Sequence, residues 1–275
     1  MAKLKIVLDA GHGPNTPGKR SPDGSLREYQ FNKRVADVMK LKFSDYEGVQ
    51  VLFTHSDGRD VPLSERTNAA NKWGANLVVS LHANANAGKM GSHGGIETFI
   101  YTKPSAKSTE VAKAVQSALI KATGLRDRSV KKGNLHMVRE PKAPSILVEY
   151  GFMDSYTDLP LLKTDSYRIL CAETTVNAIA KVYGLKRKGA SKTGTGAPKP
   201  TDHGKYRLAT GTFPSAKAMS EGKAKLYAKY PITIYERASD NRLITGTFTG
   251  RNVAEYYAKE IKKDFGWHII VQEAV

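Results

Sequence analysis

The chain has 275 residues and a formal net charge of +17, from 43 basic and 26 acidic side chains. A chain of this length forms one or two domains and can bury a sizeable core. The excess of positive charge favours a polyanionic partner. The single cysteine, Cys171, excludes an intramolecular disulfide, and its place on one face of a predicted helix indicates a buried structural thiol.

The N-terminal segment leads from Met1 into the first predicted strand, at residues 6–8, without the apolar region of a signal peptide. Elsewhere the sequence has no apolar stretch of the length needed to span a bilayer. We therefore expect synthesis in the cytoplasm without a cleaved signal peptide, and no membrane span.

Strands and helices alternate over residues 1–184. Predicted strands cover residues 6–8, 49–55, 76–82, 95–101, 135–139 and 144–150, and predicted helices begin near residue 28 and cover 63–72, 105–123 and 166–183. Alternation of apolar strands with helical periodicity predicts an α/β fold, with a twisted, mostly parallel sheet flanked by helices. Because the carboxyl ends of parallel strands meet at one edge of the sheet, polar side chains at those ends are expected to converge.

A second domain follows a change in composition. Residues 185–204 are basic and rich in Gly, Ser, Thr and Pro, which is typical of a flexible linker. In the predicted domain 205–275, the run RLATGTF at 207–213 recurs as RLITGTF at 242–248, 35 residues later. A helix-like run and a strand follow each copy, which predicts a small α+β domain with the order βαββαβ.

The C-terminal third is also the more basic part of the chain. Residues 185–275 carry 17 basic and eight acidic side chains, a balance of +9, against +8 for the much longer remainder. Basic charge together with aromatic residues suits a binding module, and nucleic acid is one ligand hypothesis for it. The alternative, favoured for most of these aromatic residues, is that they form the core of a small domain.

Three side chains are candidate metal ligands: His12, Glu28 and His82. Two imidazoles and one carboxylate are the ligand types of a catalytic zinc site that keeps a fourth position open. The structural alternatives are two hydrogen-bonded histidines and a glutamate that complements the dipole at a helix start. Glycines on both sides of His12 are expected to leave it uncrowded and to admit a substrate.

Glu149 is the candidate catalytic carboxylate, because it follows the apolar run Ile-Leu-Val and a glutamate is costly to bury unpaired. Outside the metal ligands, it would exchange protons with water and a leaving group. A structural salt bridge to Arg139 or Arg66 is the alternative. Asn84 and Arg139 are weaker candidates for stabilising an oxyanion.

Four motifs occur in order: LDAGHG at 8–13, REYQFN at 27–32, SLHANA at 80–85 and ILVEYGF at 146–152. They resemble the successive motifs of the zinc-dependent N-acetylmuramoyl-L-alanine amidases of the "amidase 3" family, over about residues 4–184. A fifth stretch, LSERTNAAN at residues 63–71, resembles a helix of that family.

The resemblance implies that His12, Glu28 and His82 bind Zn²⁺ and that Glu149 is catalytic. It implies cleavage of the amide between N-acetylmuramic acid and L-alanine of the stem peptide, with lysis of the bacterial cell wall. Peptidoglycan is then the expected partner, anionic wall polymers are a second candidate, and nucleic acid is not expected. The site of action would be the cell wall, after release through a holin-type hole or mother-cell lysis.

The C-terminal repeats resemble a SPOR-type cell-wall module, in which the Gly-x-Phe core is kept and the usual glutamine is lost. An amidase with such repeats is similar to the lytic amidases of Bacillus-type spore formers and their phages. Two alternatives stay open: a non-catalytic wall-binding adaptor, and a zinc peptidase that cuts elsewhere in the stem peptide. The remaining histidines are expected not to be ligands, with His93 the first to test: His55, His93, His136, His203 and His268.

Overall fold

The computed structural model describes residues 3–188, 198, 200–230, 232 and 234–274. The chain divides into two compact units, Met1–Arg187 and Lys188–Val275. Half of the linker predicted at 185–204, residues 189–197 and 199, lies outside the described residues, so that linker remains a prediction.

The first unit alternates strands with helices. Its elements are β1 (Leu4–Ala10), α1 (Glu28–Phe43), β2 (Val49–Phe53), α2 (Leu63–Trp73), β3 (Leu77–Asn84), β4 (Ile96–Ile100), α3 (Ala106–Thr123), β5 (Asp127–Lys132), α4 (His136–Arg139), β6 (Ser145–Phe152), α5 (Asp158–Leu162) and α6 (Asp165–Val182).

The six strands form one sheet in the order β2-β1-β3-β6-β4-β5. Strand β1 is parallel to β2 and β3, and β3 is parallel to β6. Strand β4 runs antiparallel to β6 and parallel to the edge strand β5. The expected α/β fold with a mostly parallel sheet is confirmed, and β1, β3 and β6 bring their carboxyl ends to the same edge.

The helices pack on the sheet through the apolar side chains of its strands. Helix α6 contacts both α1 and α3, and α1 also contacts β1 and β3. Elsewhere Val7 and Val78 form a buried cluster with Ala70 of α2 and Met137 of α4. Cys171 on α6 is fully buried, as expected for a structural thiol, and burial raises the pKa of this group.

Two segments of the first unit differ from the sequence prediction. The strand predicted at 135–139 is wrong: Val138 N and Arg139 N donate to the carbonyl of Leu135 and close a short helix, α4. Strand β5 was not predicted, because its sequence DRSVKK has a single apolar residue and it lies at the sheet edge.

The second unit has its own antiparallel sheet. Its elements are β7 (Lys205–Thr210), α7 (Ala216–Lys229), β8 (Ile234–Arg237), β9 (Arg242–Thr245), β10 (Phe248–Thr249), α8 (Arg251–Phe265) and β11 (Ile269–Glu273). Strand β7 pairs with β9, β10 and β11, and β8 pairs with β9. The two copies of the repeat form β7 and β9, which are neighbours, and their buried Leu208 and Leu243 contribute to its core.

Among the described residues, no helix is both long and apolar enough to cross a bilayer.

Candidate metal centre

Strand pairing places side chains from three strands in one row across the sheet. Gly11 N donates to the Leu81 carbonyl over 3.0 Å, which continues the β1–β3 pairing to the level of His82. His82 is directly opposite Glu149, and Glu149 is directly opposite Glu97 of β4. Directly opposite residues project to the same face, so this row brings a histidine and two carboxylates together.

The three predicted ligands lie together at one end of the row. His12 Nε2 is 3.1 Å from Glu28 Oε2, and His82 Nδ1 is 2.9 Å from Glu28 Oε1. The imidazole rings are perpendicular, with centroids 5.2 Å apart. Within the described part of the chain, these residues form the group whose donor atoms all lie within 4.8 Å of one another.

This donor set fits zinc. Ligand atoms held tetrahedrally at about 2.1 Å from an ion are ~3.4 Å apart, close to the separations between these side chains. Two imidazole nitrogens and one carboxylate oxygen leave one tetrahedral position for water or substrate.

Helix α1 delivers Glu28 from its first turn. Arg27 N donates to Gln30 Oε1 over 3.2 Å at the helix start, while the Glu28 carboxylate turns inward and is almost fully buried. Ala83 N and Asn32 Nδ2 both donate to Glu28 Oε1. Burial raises the pKa of Glu28, but the hydrogen bonds with His12 and His82 outweigh this effect and hold the pKa far below its usual value.

The glycines beside His12 have a role different from the one predicted. A Cβ on Gly11 would lie 2.1 Å from Cε1 of His82, and a Cβ on Gly13 would lie 2.5 Å from Cα of Asp60. These glycines therefore make room for the protein's own ligand and loop. The sharp turn is at His12 itself, which has φ 65°, in the left-handed region that L-residues rarely adopt.

A buried ion pair lies beneath the centre. The Arg66 guanidinium from α2 donates to Asp9 Oδ1 over 3.0 Å, to the Ala10 carbonyl over 2.7 Å and to the His12 carbonyl over 2.6 Å. Its side chain and that of Asp9 are 2% and 1% exposed. Arg66 thus fixes the loop in which His12 takes its unfavourable φ.

Asp9 also orients His82. Ser80 Oγ donates to Asp9 Oδ2 over 2.7 Å and lies 3.1 Å from His82 Nε2, while Thr54 Oγ1 donates to Asp9 Oδ1. Burial raises the pKa of Asp9, but Arg66 and the two hydroxyls lower it more, so the carboxylate is ionised. With Nε2 engaged by Ser80, His82 presents Nδ1 to the metal position.

Glu149 lies beside His82, which is directly opposite it on β3. No described residue hydrogen-bonds its buried Oε2. Its pKa is raised to about 8, with burial as the largest cause; Glu28 and Glu97 also raise the pKa, while His82 lowers it.

The salt bridges considered for Glu149 do not form. Arg66 is engaged by Asp9, Asp60 and backbone carbonyls. Arg139 bonds its neighbour Glu140.

The remaining predicted polar residues have other partners. Asn84 Nδ2 donates to Glu97 Oε1 over 2.8 Å, and Arg139 lies beside Glu140. His93 Nε2 lies 2.7 Å from Asp154 Oδ1. Ala10 N donates to Nδ1 of His55 over 3.2 Å.

Four residues support the site in ways that were not predicted from the sequence: Asp9, Arg66, Ser80 and Glu97. The signal for Asp9 was present, since an aspartate at the end of the apolar run Ile-Val-Leu requires a partner when buried. Its partner Arg66 is 57 positions away and looks like an ordinary helix residue in the sequence.

An α/β sheet with two histidines at its strand ends and a glutamate from a helix start, beside a buried glutamate of raised pKa, has the composition of a hydrolase centre. Residues 6–181 match the model of the family described as N-acetylmuramoyl-L-alanine amidase, and the chain belongs to this family. Its function is therefore in the hydrolysis of cell-wall peptidoglycan.

Named relatives agree with this placement. The chain is 33% identical over 189 residues to the sporulation-specific N-acetylmuramoyl-L-alanine amidase of Bacillus subtilis, which covers 68% of this chain and 71% of that protein. It is 35% identical over 207 residues to the endolysin of Bacillus phage SPP1, covering 74% and 72%.

Solved structures show the same fold. The N-acetylmuramoyl-L-alanine amidase from Clostridium difficile 630 matches with a TM-score of 0.64 and 28% identity, over 67% of this chain and 98% of that one. The catalytic domain of CwlV from Bacillus (Paenibacillus) polymyxa matches with a TM-score of 0.62 and 27% identity, over 68% and 100%. The family match ends at residue 181, before the second unit.

Proposed function

We propose that this protein cleaves the amide between the lactyl group of N-acetylmuramic acid and L-alanine of the stem peptide. His12, Glu28 and His82 would hold Zn²⁺, and Glu149 would move the proton. The observation that carries the proposal is the convergence of three metal-type donors from separate elements beside a buried carboxylate oxygen for which the described residues offer no partner.

Zinc at this position would polarise the scissile carbonyl and lower the pKa of a water molecule to about 7. Glu149 would accept a proton from the attacking water at Oε2 and return it to the departing amine of L-alanine. The same group would thus act first as base and then as acid.

Mass spectrometry of purified peptidoglycan, digested with and without a chelator, tests this function. We expect new L-alanine amino termini while the glycan strands stay intact. The new termini should be lost on chelation and restored by Zn²⁺. Cleavage at another amide would instead identify a zinc peptidase, and wall binding without new termini would identify a non-catalytic adaptor.

We further propose that the second unit is a SPOR-like wall-binding module. Its support is the element order β7-α7-β8-β9-α8-β11, in which the two repeats supply neighbouring strands, together with its basic charge. Peptidoglycan glycan or an anionic wall polymer would be its ligand. The protein would act at the cell wall after release from the cell that makes it.

A further inference from the structure

The row across the sheet continues beyond the proposed metal centre. Glu97 of β4 is directly opposite Glu149, so the two carboxylates lie side by side on one face. Only 5% of the Glu97 side chain is exposed. The next strand, β5, supplies the side chains that reach Glu97 from the far side.

Glu97 is paired with two cations. Arg128 Nε donates to Glu97 Oε2 over 2.7 Å, and Lys131 Nζ donates to the same oxygen over 2.6 Å. Burial raises the pKa of Glu97, but the bonds from Lys131 and Arg128 outweigh this effect and hold its pKa below the usual value. One carboxylate between two cations leaves a surplus positive charge beside the catalytic glutamate.

The Arg128 guanidinium is held in a fixed position. Its central carbon is 4.7 Å from the ring centroid of Phe152. The β4–β5 register shifts opposite Glu97, and Ser129 has φ 69°, with its N–H donating to Asp127 Oδ1. A bulge of this kind redirects a side chain at a sheet edge, and here it directs Arg128 back across β4.

Both cations have hydrogen-bonding capacity to spare. Among the described residues, Arg128 donates only through Nε to Glu97, which leaves its two Nη groups for a ligand. The Arg128 and Lys131 side chains are 24% and 38% exposed. A planar guanidinium edge beside an ammonium group is suited to binding a carboxylate.

We propose that Arg128 and Lys131 form a subsite for the free α-carboxylate of the D-glutamate that follows L-alanine in the stem peptide. This inference rests on the proposed function. The muramic acid side of the substrate offers no carboxylate, because its lactyl carboxyl forms the scissile amide. The peptide would therefore extend from Glu149 towards β5.

The reach agrees with this assignment. Arg128 contacts Glu97 on β4, and Glu97 is directly opposite Glu149, so the guanidinium lies within about two strand spacings, roughly 10 Å, of the position of Glu149. A peptide extends about 3.5 Å per residue, so the second residue of the stem lies within reach when the scissile amide is beside Glu149.

Calorimetric binding of two product peptides to the full chain tests the subsite without requiring turnover. One peptide is L-Ala-γ-D-Glu-L-Lys, and the other carries a carboxamide in place of the D-glutamate α-carboxylate. We expect the wild-type chain to prefer the carboxylate by about 10- to 100-fold. Arg128→Gln and, separately, Lys131→Gln should each reduce this preference about tenfold and leave binding of the carboxamide peptide unchanged.

Lys132→Gln is the matched control, because it removes the same charge from the next residue of β5, which is exposed. It should retain the wild-type preference. Thermal unfolding checks each variant, and Lys131→Gln keeps the test valid if Arg128→Gln does not fold. The subsite would be overturned if the wild type bound both peptides equally, or if a folded Arg128 or Lys131 variant kept the full preference for the carboxylate peptide. It would also be overturned if a variant bound both peptides more weakly by the same factor.

The corresponding muramyl tripeptides separate this inference from the proposed function. Cleavage of the lactyl amide in both substrates with equal kcat/KM would reject the subsite alone. Cleavage at a different bond would reject the proposed function. If the proposed function and the subsite are both correct, Arg128→Gln raises KM for the carboxylate substrate with little change in kcat.

Discussion

Glu149 has an environment that no other described residue of the sheet edge shares. Burial among apolar strands disfavours its charged form and is the largest cause of its raised pKa; His82 opposes this effect, and the nearby carboxylates Glu28 and Glu97 add to it. Glu28, by contrast, contacts two imidazoles and stays ionised. Two neighbouring glutamates are thereby placed in different electrostatic environments, which is consistent with the roles proposed for them, one as a ligand and one as a proton carrier.

Glu149→Gln should lower kcat by about 10²- to 10⁴-fold, because the amide keeps the shape of the side chain but cannot carry the proton. Zinc content should stay at the wild-type level, since Glu149 is not among the three donors. Hydrolysis rates on purified peptidoglycan and metal analysis of the same samples check both expectations. Glu140→Gln, on an exposed glutamate paired with Arg139, is the control; a wild-type rate for Glu149→Gln would reject the assigned role.

Gly11→Ala should weaken zinc binding by about 10- to 100-fold, the usual cost of disturbing a ligand's support. The new methyl group would lie 2.1 Å from the His82 ring, so His82 must leave its position. Competition with a chromogenic zinc chelator measures the affinity. Gly58→Ala, where the nearest atom is 3.8 Å away, should bind zinc as the wild type does, and a normal affinity for Gly11→Ala would show that the ring adapts.

The residue types of the site could be predicted from the sequence, but the roles of the residues beside them could not. The Gly-His-Gly sequence suggests a turn at the glycines, whereas the structure places the left-handed φ on His12 and uses Gly11 for contact with His82. That contact depends on the pairing of β1 with β3, which local sequence does not define.

At the scale of elements, α2 is fastened to the end of β1 by Arg66. This one side chain binds Asp9 and the carbonyls of Ala10 and His12. Because both charges are buried, removal of either partner would leave the other charge buried and unpaired. The ion pair also contributes to the geometry of the candidate metal centre.

Asp9→Asn should lower the free energy of unfolding by about 3–5 kcal/mol, because it leaves the buried guanidinium without its counter-charge. Arg66→Met should have a cost of similar size. The double variant should be less destabilised than the two single variants combined, since neither charge is then left unpaired. Urea unfolding of the four proteins measures the coupling, and additive effects would contradict it.

Element prediction succeeded where apolar periodicity was strong and failed where it was weak. Strands β1, β3 and β6 have buried apolar runs and were identified with ends close to those observed. The edge strand β5 is mostly polar, so its assignment depends on pairing with β4. The bulge in β5 that directs Arg128 could not be predicted from the sequence either.

At the scale of the molecule, the net positive charge is distributed unequally between the two units. Residues 185–275 carry a balance of +9 in a third of the chain. Positive charge concentrated in this way attracts anionic polymers and depends on ionic strength. This distribution of charge is consistent with the proposal that the second unit attaches to the wall while the first carries out catalysis.

A chain ending at Arg187 should cleave a soluble muramyl peptide at the full-length rate, because the centre lies wholly in the first unit. The shortened chain should act more slowly than the full-length chain on intact walls. If charge dominates attachment, added salt should reduce this difference in rate between the two chains. Sedimentation with purified walls, compared with retention on DNA, identifies the ligand. Equal activity of both chains on walls, or stronger retention on DNA, would contradict the assignment.

The sequence alone determined the α/β class, through alternating periodicities, and the four residues proposed for chemistry, through motifs in a fixed order. Both are properties of neighbouring positions along the chain. Only the tertiary structure decided what surrounds those residues: the Asp9–Arg66 pair beneath the ligands, the raised pKa of Glu149, and the cations beside Glu97. These depend on burial and on contacts between strands and helices far apart in sequence, since electrostatic strength is set by the surroundings of a charge.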